Sequence, residues 1–341
     1  MTPSSTPAPP PLRLGQLGAA SIAKNALIDA SRSTGDSLVA VAARSPERGT
    51  AYALEHGFAR SEDSYAALLA SPDIEAVYIP LPNGLHGPWA ERALLAGKHV
   101  LVEKPFASSA AEARRVLAVA SRTGLVAAEA FHYALHPLLL RLRELLSAGA
   151  IGRVTGAEII CVIPAPPATD ARWNTALAGG TIMDVGCYGL HAAAALGRYL
   201  GGPARVLSAV AEADPADPEM DRAMEITLGY PTGPAVRLRT AMNAREMEFS
   251  LRISGERGEL FLPCFVLPHR DDRLILRTAA GESTEHLGTR SSYAYQLEAF
   301  AAAVRGVTPF PVTPGDTLEV MNLIDDAYRA AGMSPRPGSS L

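Results

Sequence analysis

Short apolar segments alternate with segments of helical periodicity from residue 12 to residue 128. Strands separated by helices pair in parallel, and the helices cover both faces of the sheet. This half of the chain is therefore predicted to be an α/β domain with a doubly wound parallel sheet of the Rossmann type. The strand candidates are 12–18, 38–43, a short one near Phe58, 74–79, 100–102 and 125–128. The helical segments are 47–56, 65–70, 89–96 and 110–121.

The second half of the chain has a different pattern. Apolar and polar residues alternate along 236–242 and 247–253, and this predicts antiparallel strands with one covered face. A hairpin turn is expected at 254–260, a further strand at 153–160, and helices at 137–148, 293–304 and 318–331. Because 341 residues are too many for one compact core, two domains are expected. The predicted organisation is a disordered tail at 1–11, a doubly wound α/β domain at 12–131, a second domain at 132–332 and a frayed tail at 333–341.

Composition argues against several classes of protein. A net charge of -4 gives no electrostatic footprint for nucleic acid, and no Lys/Arg run indicates a membrane surface. No apolar run reaches the ~18 residues of a spanning helix, and the first residues lack the features of a signal peptide. Cys161, Cys187 and Cys264 are widely spaced. That spacing fits unlinked thiols in a reducing cytoplasm and no zinc site.

A candidate dinucleotide-binding turn follows the first predicted strand. Gly18 fits the first glycine of the fingerprint, Ala23 fits the third small position, and Ala20 stands where a second glycine is usual. The free N–H groups at the start of the following helix would hold a pyrophosphate. The alternative is a plain strand-to-helix turn. The predicted cofactor contacts here are Gly18, Ala19, Ala20, Ser21, Ile22 and Ala23.

Arg44 and Ser45 follow the second predicted strand, where an NAD-specific site would carry an acidic residue. A guanidinium group and a hydroxyl suit the extra phosphate of NADP, because planar donors match phosphate oxygens. NADP is therefore the expected cofactor, with NAD possible. A solvated surface arginine is the alternative.

Two other strand ends carry polar groups. The apolar strand 100–102 stops at Glu103, Lys104 and Pro105, and the strand 74–79 runs into a loop with two prolines and an Asn-Gly pair. Ligands of doubly wound sheets bind at these carboxyl ends. Glu129, Phe131, His132 and Tyr133 are expected to face the same crevice as Lys104. An ion pair between the strand end and a neighbouring helix is the alternative for the charged pair.

A helix is predicted to begin at Thr181, because Thr181 and Asp184 have the spacing of a capping box. Asp184, Tyr188 and His191 then share one helix face. Each residue also has a purely structural alternative. Asp184 can be the cap partner, Tyr188 an amphipathic core residue and His191 a core histidine with its hydrogen bonds satisfied.

The loop Pro80-Leu81-Pro82-Asn83 through His86, the segment 96–100 and Glu103-Lys104-Pro105 together resemble the Gfo/Idh/MocA family of NAD(P)-dependent oxidoreductases. The resemblance runs from about Leu12 to beyond Arg329. It implies a Rossmann domain, a C-terminal α/β domain with an open, mostly antiparallel sheet that also forms an oligomer interface, and catalysis by Lys104. The sequence departs from the family pattern at two positions. Ala20 replaces the usual glycine, and Ala134 stands where relatives often carry arginine in the segment 133–137. The cofactor contacts expected here are Pro80, Leu81, Pro82, Asn83, His86, Glu103 and Lys104.

The resemblance also implies that Asp184 and Tyr188 complete the catalytic group with Lys104. Alcohol oxidation requires a base for the hydroxyl proton, and ketone reduction requires an acid. We assign Tyr188 as the general acid/base and Asp184 as the orienting group. Lys104 is the electrostatic partner, expected to lower the pKa of Tyr188. Glu103 is expected to orient the cofactor.

The predicted function is hydride transfer between NADP and a secondary alcohol or ketone of a sugar, a sugar derivative or a cyclic diol. Two alternatives are open: a nucleotide-binding regulatory protein without turnover, and NAD-dependent glycoside cleavage through transient oxidation. A cytoplasmic homodimer or homotetramer is expected. The predicted substrate contacts are His132, Arg172, Trp173, Asp184, Tyr188 and His191.

Overall fold

The computed structural model describes residues 10–338. The first domain is built on a six-stranded sheet with the order β3-β2-β1-β4-β5-β6, in which every neighbouring pair is parallel. This confirms the doubly wound sheet. Its strands are β1 (Arg13–Leu17), β2 (Ser37–Ala42), β3 (Arg60–Glu62), β4 (Ala76–Ile79), β5 (His99–Val102) and β6 (Ala127–Glu129). Its helices are α1 (Ala30–Thr34), which continues a π-helical segment Lys24–Asp29, α2 (Pro46–His56), α3 (Tyr65–Ala70), α4 (His86–Leu95) and α5 (Ala110–Thr123).

The second domain is built on an eight-stranded sheet with the order β14-β13-β12-β11-β7-β10-β9-β8. All neighbours are antiparallel except the pair β7–β10, so the expected mostly antiparallel sheet is confirmed. The strands are β7 (Val154–Val162), β8 (Arg205–Asp214), β9 (Asp217–Gly229), β10 (Val236–Ala241), β11 (Glu248–Gly255), β12 (Gly258–Leu262), β13 (Arg273–Thr278) and β14 (Gly281–His286). The helices are α6 (Pro137–Ser147), α7 (Cys187–Leu196), α8 (Ser292–Val304) and α9 (Pro314–Ala330).

The long hairpin of β8 and β9 has no counterpart among the predicted strands. Most residues of β8 are exposed or half-buried, and Val210 is 72% exposed. The strand therefore lacks the alternation that period-two patterns detect. Its order comes from pairing with β9, a contact that local sequence does not encode.

The two ends of the chain differ from the expected tails where the structure describes them. Residues 1–9 and 339–341 lie outside the described part. The carbonyl oxygens of Pro10 and Pro11 accept hydrogen bonds from Arg305. The expectation of a frayed end after residue 332 is wrong for Met333 and Arg336, which are 8% and 2% exposed. Burial of an arginine requires fixed partners, and these are found in the second domain.

Candidate active site

Lys104 follows β5, where the apolar strand gives way to a charged pair. Its Nζ donates a hydrogen bond to the backbone oxygen of Asp184 at 2.7 Å and lies 3.5 Å from Oδ1 of the same residue. The same Nζ lies 4.9 Å from the centroid of the Tyr188 ring. The structure thus brings a lysine of the first domain together with an aspartate and a tyrosine of the second. The Lys104 and Asp184 side chains are only 13% and 15% exposed, so their interaction is weakly screened.

Burial and charge set the protonation states of this cluster. Burial lowers the pKa of Lys104, but the charge of Asp184 and neighbouring anionic groups outweighs it, so the pKa lies above its usual value. Burial raises the pKa of Tyr188 well above its usual value. The expected lowering of the Tyr188 pKa is therefore wrong for this arrangement, because burial of the phenol outweighs the effect of the nearby Lys104 charge. Tyr188 is a neutral phenol, which is the form that donates a proton.

The capping box predicted at Thr181 is also wrong. Thr181 has helical backbone angles and makes no side-chain cap; its Oγ1 lies 3.4 Å from Oγ1 of Thr240. Asp221 on β9 caps the helix instead, because its Oδ2 accepts a hydrogen bond from Ile182 N at 2.8 Å. The helix begins with a π-helical segment, Ile182–Gly186, before α7. Asp184 is therefore free to pair with side chains in the cleft.

Arg172 is the second cation that reaches Asp184. Its Nε lies 3.2 Å from Asp184 Oδ2, on the carboxylate oxygen that Lys104 does not approach. The loop that carries Arg172 is closely packed, because Gly180 N donates to Arg172 O and a Cβ on Gly179 would lie 2.5 Å from that same oxygen. Gly179 and Gly180 thus allow their segment to pack closely against the backbone of Arg172. The predicted substrate contact Arg172 lies beside Asp184.

Glu103 is buried and binds inside the first domain. Its carboxylate accepts a hydrogen bond from the Tyr78 hydroxyl at 2.6 Å and another from Lys104 N at 3.3 Å. Burial raises the pKa of Glu103, although the Lys104 charge opposes this. Glu103 thus stabilises the position of Lys104 from below the cleft.

Gly18 occupies the turn that was predicted to hold a dinucleotide. Its φ is +95°, a conformation that glycine adopts without strain, and a Cβ there would lie 2.8 Å from Leu81. The turn is held from helix α2: Arg48 donates to Ala19 O at 2.9 Å and Tyr52 donates to Ala20 O at 3.0 Å. The carbonyl group of Ala20 also accepts from Ala23 N at 3.2 Å, so these bonds fix the turn that precedes the next helix.

His86 joins the two loops that follow β4 and β5. Its Nδ1 lies 2.7 Å from Pro105 O and its Nε2 lies 2.7 Å from Leu81 O. Burial lowers the pKa of His86 to about 4. Because its two ring nitrogens lie against backbone oxygens of the two loops, His86 holds these loops beside each other. Asn83 extends the connection to the second domain by donating to Ala178 O at 3.1 Å.

A cavity of about 780 Å³ extends from Arg44 at the end of β2 to the loop of the second domain that precedes α7. Trp173 lines this cavity and donates through Nε1 to Pro166 O. Arg44 is exposed, and Ser45 accepts from Arg48 N and caps α2. The predicted cofactor phosphate contact and a predicted substrate contact therefore border one space.

His132 lies beside the catalytic candidates. Its ring centroid is 6.2 Å from that of Tyr188 and 3.9 Å from that of Tyr293. Its Nδ1 bonds to Ser292 Oγ at 2.8 Å, and its buried Nε2 has no hydrogen-bond partner among residues 10–338. The second ring nitrogen is thus available to a bound molecule.

The structure does not bring His191 to this cluster. Its Nδ1 lies 2.6 Å from the Tyr133 hydroxyl, and its ring stacks on Phe131 with centroids 4.2 Å apart. It lines two further cavities whose lining residues include neither Lys104 nor Tyr188. The π-helical segment Ile182–Gly186 precedes α7, and the prediction of one common face is wrong for His191, which does not join Asp184 and Tyr188 in the cleft.

Two family models match most of this chain. A model of the Gfo/Idh/MocA oxidoreductase family with an NAD-binding Rossmann fold matches residues 12–131, and a model of the Gfo/Idh/MocA C-terminal domain matches residues 139–261. The chain belongs to the Gfo/Idh/MocA family. The resemblance found in the sequence is thereby confirmed, and the protein is an oxidoreductase with a dinucleotide-binding Rossmann domain.

Relatives of this Gfo/Idh/MocA protein extend over nearly the whole chain. D-xylose 1-dehydrogenase (NADP(+)) 2 of Haloferax volcanii is 37% identical over 325 residues, which cover 94% of this chain and 97% of the relative. A dTDP-3,4-didehydro-2,6-dideoxy-alpha-D-glucose 3-reductase of Streptomyces violaceoruber is 39% identical over 86% of this chain and 85% of its own. The solved 3-ketoreductase KijD10 of Actinomadura kijaniata, in complex with NADP and TDP-benzene, is 28% identical with a TM-score of 0.87, covering 94% and 98% of the two chains.

Several residues that hold the Gfo/Idh/MocA site were not predicted. Tyr78 lies in the apolar strand β4. A buried tyrosine hydroxyl usually has a hydrogen-bond acceptor, and here the acceptor is Glu103. Arg48 and Tyr52 share one face of α2 and bind the Gly18 turn. Asp221 lies on β9, a strand that was not predicted. Only the first three could have been inferred from local pattern.

Across residues 10–338 there is no cluster of three or more His, Cys, Asp or Glu side chains that could hold a metal ion. In the same range no helix is both long and apolar enough to cross a membrane.

Proposed function

We propose that this protein is an NADP-dependent oxidoreductase that interconverts a secondary alcohol and a ketone on a sugar, a sugar derivative or a cyclic diol. The observation that supports this most directly is the cluster of Lys104, Asp184 and Tyr188 at the mouth of the Rossmann sheet. The names of the relatives, which act on xylose or on deoxysugar ketones, support the substrate class.

In this proposal each residue of the cluster has a separate role. Tyr188 exchanges the proton with the substrate oxygen, and its raised pKa favours the neutral phenol that ketone reduction requires. The Lys104 ammonium stabilises the negative charge that develops on that oxygen. Asp184 holds Lys104 and Arg172 through its two carboxylate oxygens. When bound, the cofactor would accept the hydride as NADP+ or supply it as NADPH.

Three features of the first domain fit a bound dinucleotide. The Gly18 turn has a φ of +95°, which glycine allows, and follows the carboxyl end of β1, the edge where doubly wound sheets bind ligands. The exposed Arg44 stands directly before the capped start of α2, where helix N–H groups favour anions. We propose that Arg44 binds the additional phosphate of NADP and that Glu103 orients the cofactor through Lys104. We also propose residues 12–131 as the cofactor domain and residues 132–332 as the substrate-binding and oligomerisation domain, in a homodimer or homotetramer.

The proposed substrate contacts are His132, Arg172, Trp173, Asp184 and Tyr188. The test is a panel of aldoses, ketosugars, nucleotide-linked ketosugars and cyclic diols, assayed with NADP or NADPH by the absorbance of the reduced nicotinamide. Turnover of at least one sugar, with product identified by mass, is the expected result. Cleavage of a glycosidic bond would instead indicate the glycoside hydrolase, and dinucleotide binding without turnover on the whole panel would indicate a regulatory protein.

Replacement of Arg44 by alanine is expected to raise the Kd for NADP about 10-fold or more, because a charge-assisted hydrogen bond contributes about 1.5–3 kcal/mol. The Kd for NAD should change less than about twofold, since NAD lacks the phosphate. Both constants are measured by isothermal titration. Arg122→Ala, at an exposed position on α5, is the matched control. Equal weakening of both cofactors, or a preference of the unaltered protein for NAD, would contradict the role of Arg44.

A further inference from the structure

Two adjoining cavities lie outside the candidate active site, between α6, α7 and the segment before α9. They share four lining residues: Ala134, Arg143, His191 and Ala195. Neither cavity is lined by Lys104, Asp184 or Tyr188. Ala134 is the position where relatives often carry arginine, and its small side chain leaves the space between the two helices open.

The two cavities differ in character. One is lined mainly by apolar side chains: Leu139, Leu142, Leu146, Leu196 and Leu251. The other is bordered by charged groups: Arg143, Arg198 and Asp316. Their volumes are about 30 and 40 Å³. Since one water-sized group occupies about 10–15 Å³ by this measure, each cavity accommodates roughly three such groups.

The cations at the polar cavity lack protein partners. Neither guanidinium group, of Arg143 or Arg198, makes a hydrogen bond or ion pair with another residue of the described part of the chain. Asp316 supplies one negative charge against these two cations, and its Oδ2 accepts hydrogen bonds from Thr313 N and Oγ1 at the start of α9. The polar cavity therefore presents an excess of positive charge.

His191 adds an independent observation. It is 7% exposed and lines both cavities. The Tyr133 hydroxyl lies 2.6 Å from Nδ1 and also donates to Tyr188 O at 3.2 Å, so Nδ1 is engaged inside the protein. Within residues 10–338 the other ring nitrogen, Nε2, has no hydrogen-bond partner. Nε2 is therefore the ring nitrogen left to a ligand in the cavities, and it can donate or accept according to the tautomer.

We propose that the double cavity binds a small carboxylic acid with a short branched apolar tail. The carboxylate lies at Arg143 and Arg198 and accepts from His191 Nε2, because the guanidinium fork matches two carboxylate oxygens. The tail lies among the leucines of α6 and α7. This site is separate from the reaction proposed above and does not depend on it.

Isothermal titration of the full chain, saturated with NADP, with isovalerate and with isovaleramide tests the proposal. Isovalerate is expected to bind with a Kd of about 1 mM or tighter, and the neutral amide at least about tenfold more weakly, because only the charged ligand pairs with the arginines. This comparison requires no variant, so misfolding cannot confuse it. Equal binding of the two ligands, or no binding of isovalerate up to about 10 mM, would overturn the proposal.

Two variants locate the site. Arg143→Gln should raise the Kd for isovalerate about tenfold or more by removing one charge-assisted contact. Ala134→Leu should abolish binding by filling the space that both cavities share. Arg122→Gln, on the exposed surface of α5, is the matched control and should leave the Kd unchanged. If both site variants fold normally by circular dichroism and still bind isovalerate, the acid binds elsewhere and the proposal is wrong.

Discussion

Tyr188→Phe is expected to lower the rate of hydride transfer by about 10²–10⁴-fold, because the phenolic proton is the only acid that the variant removes. The ring and its packing against Lys104 are kept, so the Kd for NADP should stay within about twofold. Lys104→Met should lower the same rate by about 10²–10³-fold by removing the charge that stabilises the oxyanion. Single-turnover kinetics on a substrate found in the panel measures both effects.

The matched control is Tyr230→Phe. Tyr230 is another buried tyrosine, and its hydroxyl donates to Ala193 O on α7 at 2.8 Å. Loss of that hydroxyl should cost stability and leave the transfer rate nearly unchanged. If Tyr188→Phe kept the full rate while Tyr230→Phe did not, the proton would come from another group, and the assignment of Tyr188 would be wrong.

A large loss of stability is expected from a substitution near the C-terminus, at Arg336. Arg336→Ala should lower the free energy of unfolding by about 3–5 kcal/mol, because it leaves the buried Asp221 without its cation. Arg336 Nη2 pairs with Asp221 Oδ1, and its Nε and Nη1 donate to Gly179 O at 2.7 Å and Glu219 O at 2.6 Å. Its guanidinium also lies 4.2 Å from the Tyr328 ring centroid. Urea unfolding followed by circular dichroism measures the change.

The same contacts connect stability with the site. Asp221 accepts from Ile182 N at the start of the helix that carries Asp184 and Tyr188, and Gly179 belongs to the loop that carries Arg172. The folded fraction of Arg336→Ala is therefore expected to turn over more slowly than the unaltered protein.

Arg329→Ala provides the comparison. Arg329 pairs with Asp325 and Asp326, but its side chain is 58% exposed. Exposed pairs contribute about 0–1 kcal/mol. A loss at Arg336 no larger than the loss at Arg329 would show that the terminal segment is not part of the folded core.

Local pattern predicted the elements whose burial follows from their own residues. The α3 helix was predicted at 65–70 and is found at Tyr65–Ala70, and β5 differs from its prediction by one residue. Both are short apolar segments with clear polar boundaries. The β8–β9 hairpin escaped prediction because β8 is largely exposed and owes its order to a partner strand.

The sequence by itself determined the Rossmann sheet and the placement of Lys104 at a strand's carboxyl end, because an apolar run that ends in charged residues has few ways to be buried. Only the tertiary structure decided that Asp184 pairs with Lys104, a residue 80 positions away, rather than capping its own helix. It also decided that Arg336 is buried against Asp221. Such pairings depend on which charged groups share a desolvated space, and chain folding, not local spacing, creates that space.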